Sequence, residues 1–319
     1  MSEPLDLLWP RAAGARWLPL GRDQVMLLLA AVSEALSGLD AGLAHHAGTT
    51  MRGAAWVPVV FGPLAGAVLL VAGLVAFRRR TLASLLATVV FAASIVVGVS
   101  GAWLHLGRTV LPAAPPGQRI LLDFFFAAPP VLGPLAFAFI GVFGTSAAWV
   151  ESPAGSGRLV LPGRLRLQLP YPKTNAYFYV TAAGVLIALV SSVLDHAATG
   201  FADAWLWIPT AGGVFAMVVA TALGMIEQPT RADLWTYVGA MVLLLAIGAL
   251  GAALHLRLDL GPGGQIVPER LLEGAPLMAP LLFSNMGIVG LVALLPDHPA
   301  PASATIPLAA PAARPSSDG

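Results

Sequence analysis

From Thr81 to Gly107 the chain runs 27 residues without an Asp, Glu, Lys or Arg. An α-helix needs about 20 apolar residues to cross a hydrocarbon core of about 30 Å. In lipid, backbone amides must find partners inside the structure, so such a run is expected to be helical. Comparable runs recur, and a hydropathy reading places eight spans near 24–45, 56–77, 81–105, 124–147, 175–196, 205–226, 232–255 and 274–295. Only 10% of residues are charged and 57% are hydrophobic, against about 25% and roughly 45–50% in soluble domains. So few charges cannot cover a soluble surface. The expected fold class is an all-α polytopic membrane protein.

The spans are written twice. "GVSGAWLHL" at 98–106 returns as "GALGAALHL" at 248–256, aligning Gly98, Gly101 and His105 with Gly248, Gly251 and His255. His46-Ala-Gly-Thr matches His196-Ala-Ala-Thr, and "PVLGPLAFAFIGVFG" at 130–144 matches "PLMAPLLFSNMGIVG" at 276–290. The matches keep their order, so the reading is of two four-helix repeats. Four crossings return the chain to its starting side, which orients both repeats alike about a pseudo-two-fold axis along the membrane normal.

The boundaries follow: an interfacial N-terminal segment 1–23, repeat 1 at 24–147, a linker 148–173, repeat 2 at 174–295, and a Pro/Ala-rich tail 296–319 expected to be disordered. Within the linker, "RLVLPGRLRLQLP" alternates like a small hairpin. The first 22 residues lack a continuous apolar core, so no cleavable signal peptide is expected, and "LDLLWPRAAGARWLPL" reads as interfacial, with Trp9 and Trp17 at headgroup depth. With the N-terminus inside, twelve basic residues fall in inside segments and five in outside ones, with "FRRRT" the strongest vote. The expected location is the inner (plasma) membrane, with both termini cytoplasmic.

That topology puts five of six histidines at outer span ends: His45 and His46, His105, His196 and His255. Each repeat offers a pair at one depth, His45 or His46 with His105, and His196 with His255. Paired imidazoles on facing helices can ligate haem b or a metal ion. Asp195, opposite His45 in the alignment, can orient an imidazole or serve as a ligand, and Asp203 in the following loop is a further candidate. Gly98, Gly101, Gly248 and Gly251 lie on the histidine face, where a strip without side chains admits a flat macrocycle or a neighbouring helix. The same residues also serve plain helix packing and capping. The layout is similar in outline to haem A synthases, which implies that such a frame can hold haem; here no histidine is followed by arginine, so that family's Glu-x-x-x-His-Arg pattern is absent.

Glu34 lies eleven residues before His45, on the same helical face and about 16 Å deeper. A carboxyl there is costly and by default functional, and with Asp40 it marks a candidate proton or ion path. Gly184 takes the corresponding place in repeat 2. Pro130/Pro134 and Pro276/Pro280 are expected to bend spans 4 and 8, while Ser284 and Asn285 offer hydrogen bonds in span 8. Trp56, Trp103, Trp205 and Trp207 read as an outer aromatic belt.

Without cysteine there is no thiolate ligand and no iron–sulfur cluster, and no phosphate-binding loop or dinucleotide fingerprint points to a nucleotide. A net charge of +1 gives no reason to expect nucleic acid. Three readings follow. The first is haem b or a metal at the outer histidines, serving electron transfer with other membrane subunits or an outer-face redox partner. The second is a small-solute or ion/proton permease using Glu34 and the kinked helices 4 and 8. The third is a structural subunit of a membrane complex, with lipid as its main partner.

Overall fold

The computed structural model describes residues 4–8, 21–47, 51, 53–107, 132–162, 165–197, 200–267, 269–270 and 274–296. The described chain is helical apart from one small sheet. A short helix α1 (Pro4–Leu8) precedes α2 (Arg22–Ala47), α3 (Trp56–Val75), α4 (Arg80–His105) and α5 (Leu132–Ala148). After strands β1 (Val150–Glu151), β2 (Arg158–Val160) and β3 (Arg166–Gln168) come α6 (Lys173–Ala197), α7 (Trp207–Met225), α8 (Arg231–Asp259) and α9 (Met278–Val292). Six of these (α2, α3, α4, α6, α7 and α8) are long and apolar enough to cross a membrane, while α5 and α9 are shorter apolar helices. Large side chains such as Leu64, Leu74, Val89 and Val96 are exposed on them, as a lipid-facing surface requires.

All eight expected spans contain a helix. The expected start of span 4, residues 124–131, the tail at 297–319, and Trp9 and Trp17 lie outside the described residues. One expectation is corrected. Pro280 does not bend α9, because it is the third residue of its helix. In the first turn the missing N–H has no partner to lose, so Pro280 starts a helix rather than kinks one; Pro130 and the residues leading to Leu132 lie outside the described residues. Leu8 is buried in the core, and Arg231 donates to its carbonyl at 3.3 Å.

Within the first half α2 packs on α3 and α5, and α4 on α3 and α5; within the second α6 packs on α7 and α9, and α8 on α7 and α9. Close approach depends on glycine. A Cβ on Gly98 would meet the Ala138 amide and, at 2.9 Å, the Pro134 carbonyl; one on Gly101 would meet Pro134 Cβ at 2.8 Å. In the second half Gly248 meets Ser284 N at 2.6 Å and the Pro280 carbonyl at 2.7 Å, and Gly251 meets Pro280 Cβ at 2.7 Å. Gly141 against Phe91 O and Gly287 against Met241 O repeat the pattern, each at 2.6 Å. Backbones this close gain dispersion contacts over their whole length, the main attraction available between helices in lipid.

The halves meet through α2, α5, α6 and α9. At the end where α2, α4 and α6 begin, their cations converge on one carboxylate. Lys173, with no exposed surface, places its ammonium 2.7 and 2.8 Å from the two oxygens of Asp23. Arg80 reaches the same carboxylate at 3.1 Å, and the Tyr177 hydroxyl donates to it at 3.1 Å. The same cations serve helix ends. Lys173 donates to Trp149 O at 2.7 Å, Arg80 to Ala147 O at 3.3 Å, and Arg22 to Ala293 O at 3.4 Å. The last carbonyls of a helix lack intrahelical partners and form its negative pole. Cations at the starts of α2, α4 and α6 therefore close the ends of α5 and α9, which run the opposite way.

The sheet connects the halves at this basic end. β2 pairs antiparallel with both β1 and β3, so the expected hairpin gains a third strand. Glu151 in β1 accepts the backbone amides of Gly155, Gly157 and Lys173 at 3.1, 2.6 and 3.0 Å. It thereby caps α6 from outside the helix.

Removing one member of the buried ion pair should expose its cost. Asp23→Asn is expected to destabilise the protein by about 3–5 kcal/mol in detergent unfolding, because the Lys173 ammonium stays buried without a carboxylate. Combining it with Lys173→Met should recover about 2 kcal/mol or more.

Candidate functional site

Helices α2, α4, α6 and α8 all carry histidine near their C-termini, where exposed carbonyls favour an imidazole. His45 donates through Nδ1 to Ala41 O at 2.7 Å, which leaves Nε2 as the nitrogen able to accept a proton or bind a metal. Its ring meets that of His105 edge-on, centroids 5.9 Å apart and planes at 65°. His46 is exposed. Of the two histidines that sequence offered to His105, His45 is the one in contact.

The second half is arranged differently. Asp195, His196 and His255 are close enough to act on one another electrostatically. His196 lies 3.4 Å from Ser192 Oγ through Nδ1 and meets Phe201 edge-on. His255 donates from Nδ1 to Pro276 O at 3.0 Å. Asp203 accepts from Trp205 N at 3.0 Å and so begins a turn. Among the described residues no group of three or more His, Asp or Glu side chains is placed to hold one metal ion. The four outer tryptophans are all exposed at this end.

Gly98, Gly101, Gly248 and Gly251 have an occupant. Their bare faces are filled by the first turns of α5 and α9, the second of the two occupants the spacing allows. A porphyrin edge has no slot there, because even a Cβ would meet neighbouring backbone.

The deepest polar feature is at mid-helix. Glu34, twelve residues into α2, has no exposed surface. Its Oε1 is 2.6 Å from Ser94 Oγ on α4, while Oε2 has no hydrogen-bond partner. Ser94 Oγ also lies 3.0 Å from Val90 O. One hydroxyl hydrogen cannot serve both acceptors. If Glu34 carries a proton, it donates to Ser94, and Ser94 is free to donate to Val90; if Glu34 is ionised, Ser94 turns to the carboxylate. The neighbouring Ser33 accepts from Asn285 Nδ2 of α9 at 3.1 Å, a bond between the two halves. Ser284 donates instead to Leu245 O at 3.0 Å. Asp40, further along α2, is exposed.

Sequence reasoning found Glu34 and Asn285 and missed Ser94, Ser33, Asp23 and Lys173. Serines in apolar runs look unremarkable, Lys173 counted only among the basic residues that set orientation, and nothing in the sequence singles out Asp23.

If the glycine faces stay filled, haem b added to the purified protein is expected to give no bis-imidazole Soret band. A band that His105→Ala abolishes would show instead that the strip opens. No family model, curated protein or solved structure matches this chain.

Proposed function

We propose that this protein is a permease for a small solute or ion, with eight spans in two four-helix halves related by a pseudo-two-fold axis along the membrane normal, and with Glu34 as its proton-carrying group. One observation carries the reading: a carboxyl fully buried at mid-helix, with one oxygen unpartnered and the other on a serine that has a second acceptor in reach. A buried carboxyl without an opposing charge is costly inside a membrane and is retained where it acts. The serine gives each protonation state a hydrogen-bonded arrangement, so proton loss redistributes bonds on α2 and α4. The Ser33–Asn285 bond, one residue away, connects that change to the interface between the halves. Gly184, at the corresponding place on α6, packs against Met286 and Phe139 and leaves the second half without such a group.

A second reading, a transition-metal ion held by His45 and His105, is favoured by their ring contact. Zn²⁺ added to the purified protein is then expected to raise its melting temperature, and His105→Ala to remove the effect.

For the permease, the test is proton movement in vesicles that trap a pH-sensitive dye. Glu34→Gln is expected to lower the rate at least about tenfold, a barrier change of about 1.4 kcal/mol. Ser94→Ala, which keeps the acid and removes its partner, should fall between the two. An unchanged rate in Glu34→Gln protein that melts like the parent would overturn the reading.

A further inference from the structure

The hairpin at the basic end has two chemically different faces. Directly opposed strand residues share a face, and side chains alternate along each strand. The pairing Leu159↔Leu167 therefore sets Leu159, Leu161, Leu165, Leu167 and Leu169 on one side. Arg158↔Gln168 and Val160↔Arg166 set the arginines on the other. Leu159 is buried, but Leu165 at the tip is 66% exposed and Leu167 43% exposed. A leucine face that begins under cover and continues bare has outrun the protein that covers it.

The covering material follows from where the hairpin is fixed. Trp149, next to the end of α5, and Lys173, the start of α6, are joined by hydrogen bond, and Glu151 holds the sheet to the first amide of α6. The base of the sheet is therefore fixed at the level where the apolar helices end, which in a bilayer is headgroup depth. Both arginines are exposed, and the ion pairs among the described residues use Arg80 and Lys173 with Asp23, not Arg158 or Arg166. Arg78 and Arg79, just before α4 at the same end, are exposed too. Leucines beside free guanidinium groups at this depth complement an anionic headgroup layer: the apolar face enters the interface, and the arginines reach around to phosphate.

We propose that the 158–169 hairpin docks, leucine face down, on the acidic lipid surface beside the helix bundle. This does not depend on the permease reading. Because the chain has no cysteine, single Leu165→Cys and Val160→Cys variants can each carry one polarity-sensitive fluorophore on the full protein. Both would be placed in vesicles of phosphatidylcholine alone or of an equal mixture with phosphatidylglycerol. The label at 165 should shift to the blue and be quenched by brominated lipid, with quenching about twofold greater in the acidic mixture. The label at 160 should remain water-like in both. Adding Arg158→Gln and Arg166→Gln should return the 165 signal to its value in neutral lipid. A water-like label at 165 in both membranes, equal quenching at 160 and 165, or an acidic-lipid response that survives loss of both arginines would each overturn the proposal.

Discussion

An ammonium group with no access to solvent must find its charge balance inside the protein, and Lys173 finds it in Asp23, on the first long helix of the other half. Much of the arrangement depends on this pair. Asp23 also holds Arg80 and Tyr177, so the starts of α2, α4 and α6 are fixed at one point. The two cations it gathers, Arg80 and Lys173, close the carbonyl end of α5, and Arg22 beside it closes that of α9. A helix end in a dry setting leaves several carbonyls unbonded, a cost of about 1–3 kcal/mol for each. One carboxylate thus permits two cations to stand where α4 and α6 begin and α5 ends.

The spans, the small hairpin and the histidine ends were legible because each follows from a repeating physical requirement. Span length follows bilayer thickness, the hairpin follows two-residue alternation, and imidazoles suit helix C-termini. Other features were not legible because they depend on which helix comes alongside. The strip Gly98–Gly101 reads the same whether a macrocycle or a helix fills it; only the approach of Pro134 decides. Pro280 looks like a kink when its span is assumed to begin earlier, and becomes a starting residue once the helix begins two positions before it. Asp23 and Lys173 sit 150 residues apart, and nothing local in either announces the other.

Two levels of polar chemistry remain, one at the histidine end and one at mid-helix. They differ in commitment. At the histidine end the imidazoles have carbonyls, rings and each other, and several side chains there are exposed. At mid-helix Glu34 has a single serine for one oxygen and no hydrogen-bond partner for the other, and it stands one residue from the contact between the halves.

The double use of Asp23 also bears on how the chain can be made. Arg80 lies 57 residues after Asp23, whereas Lys173 lies 150 residues after it. A chain synthesised from its N-terminus has the arginine available long before the lysine. The pair within the first half can thus form before the second half is made, and Lys173 then joins a carboxylate that already holds a cation.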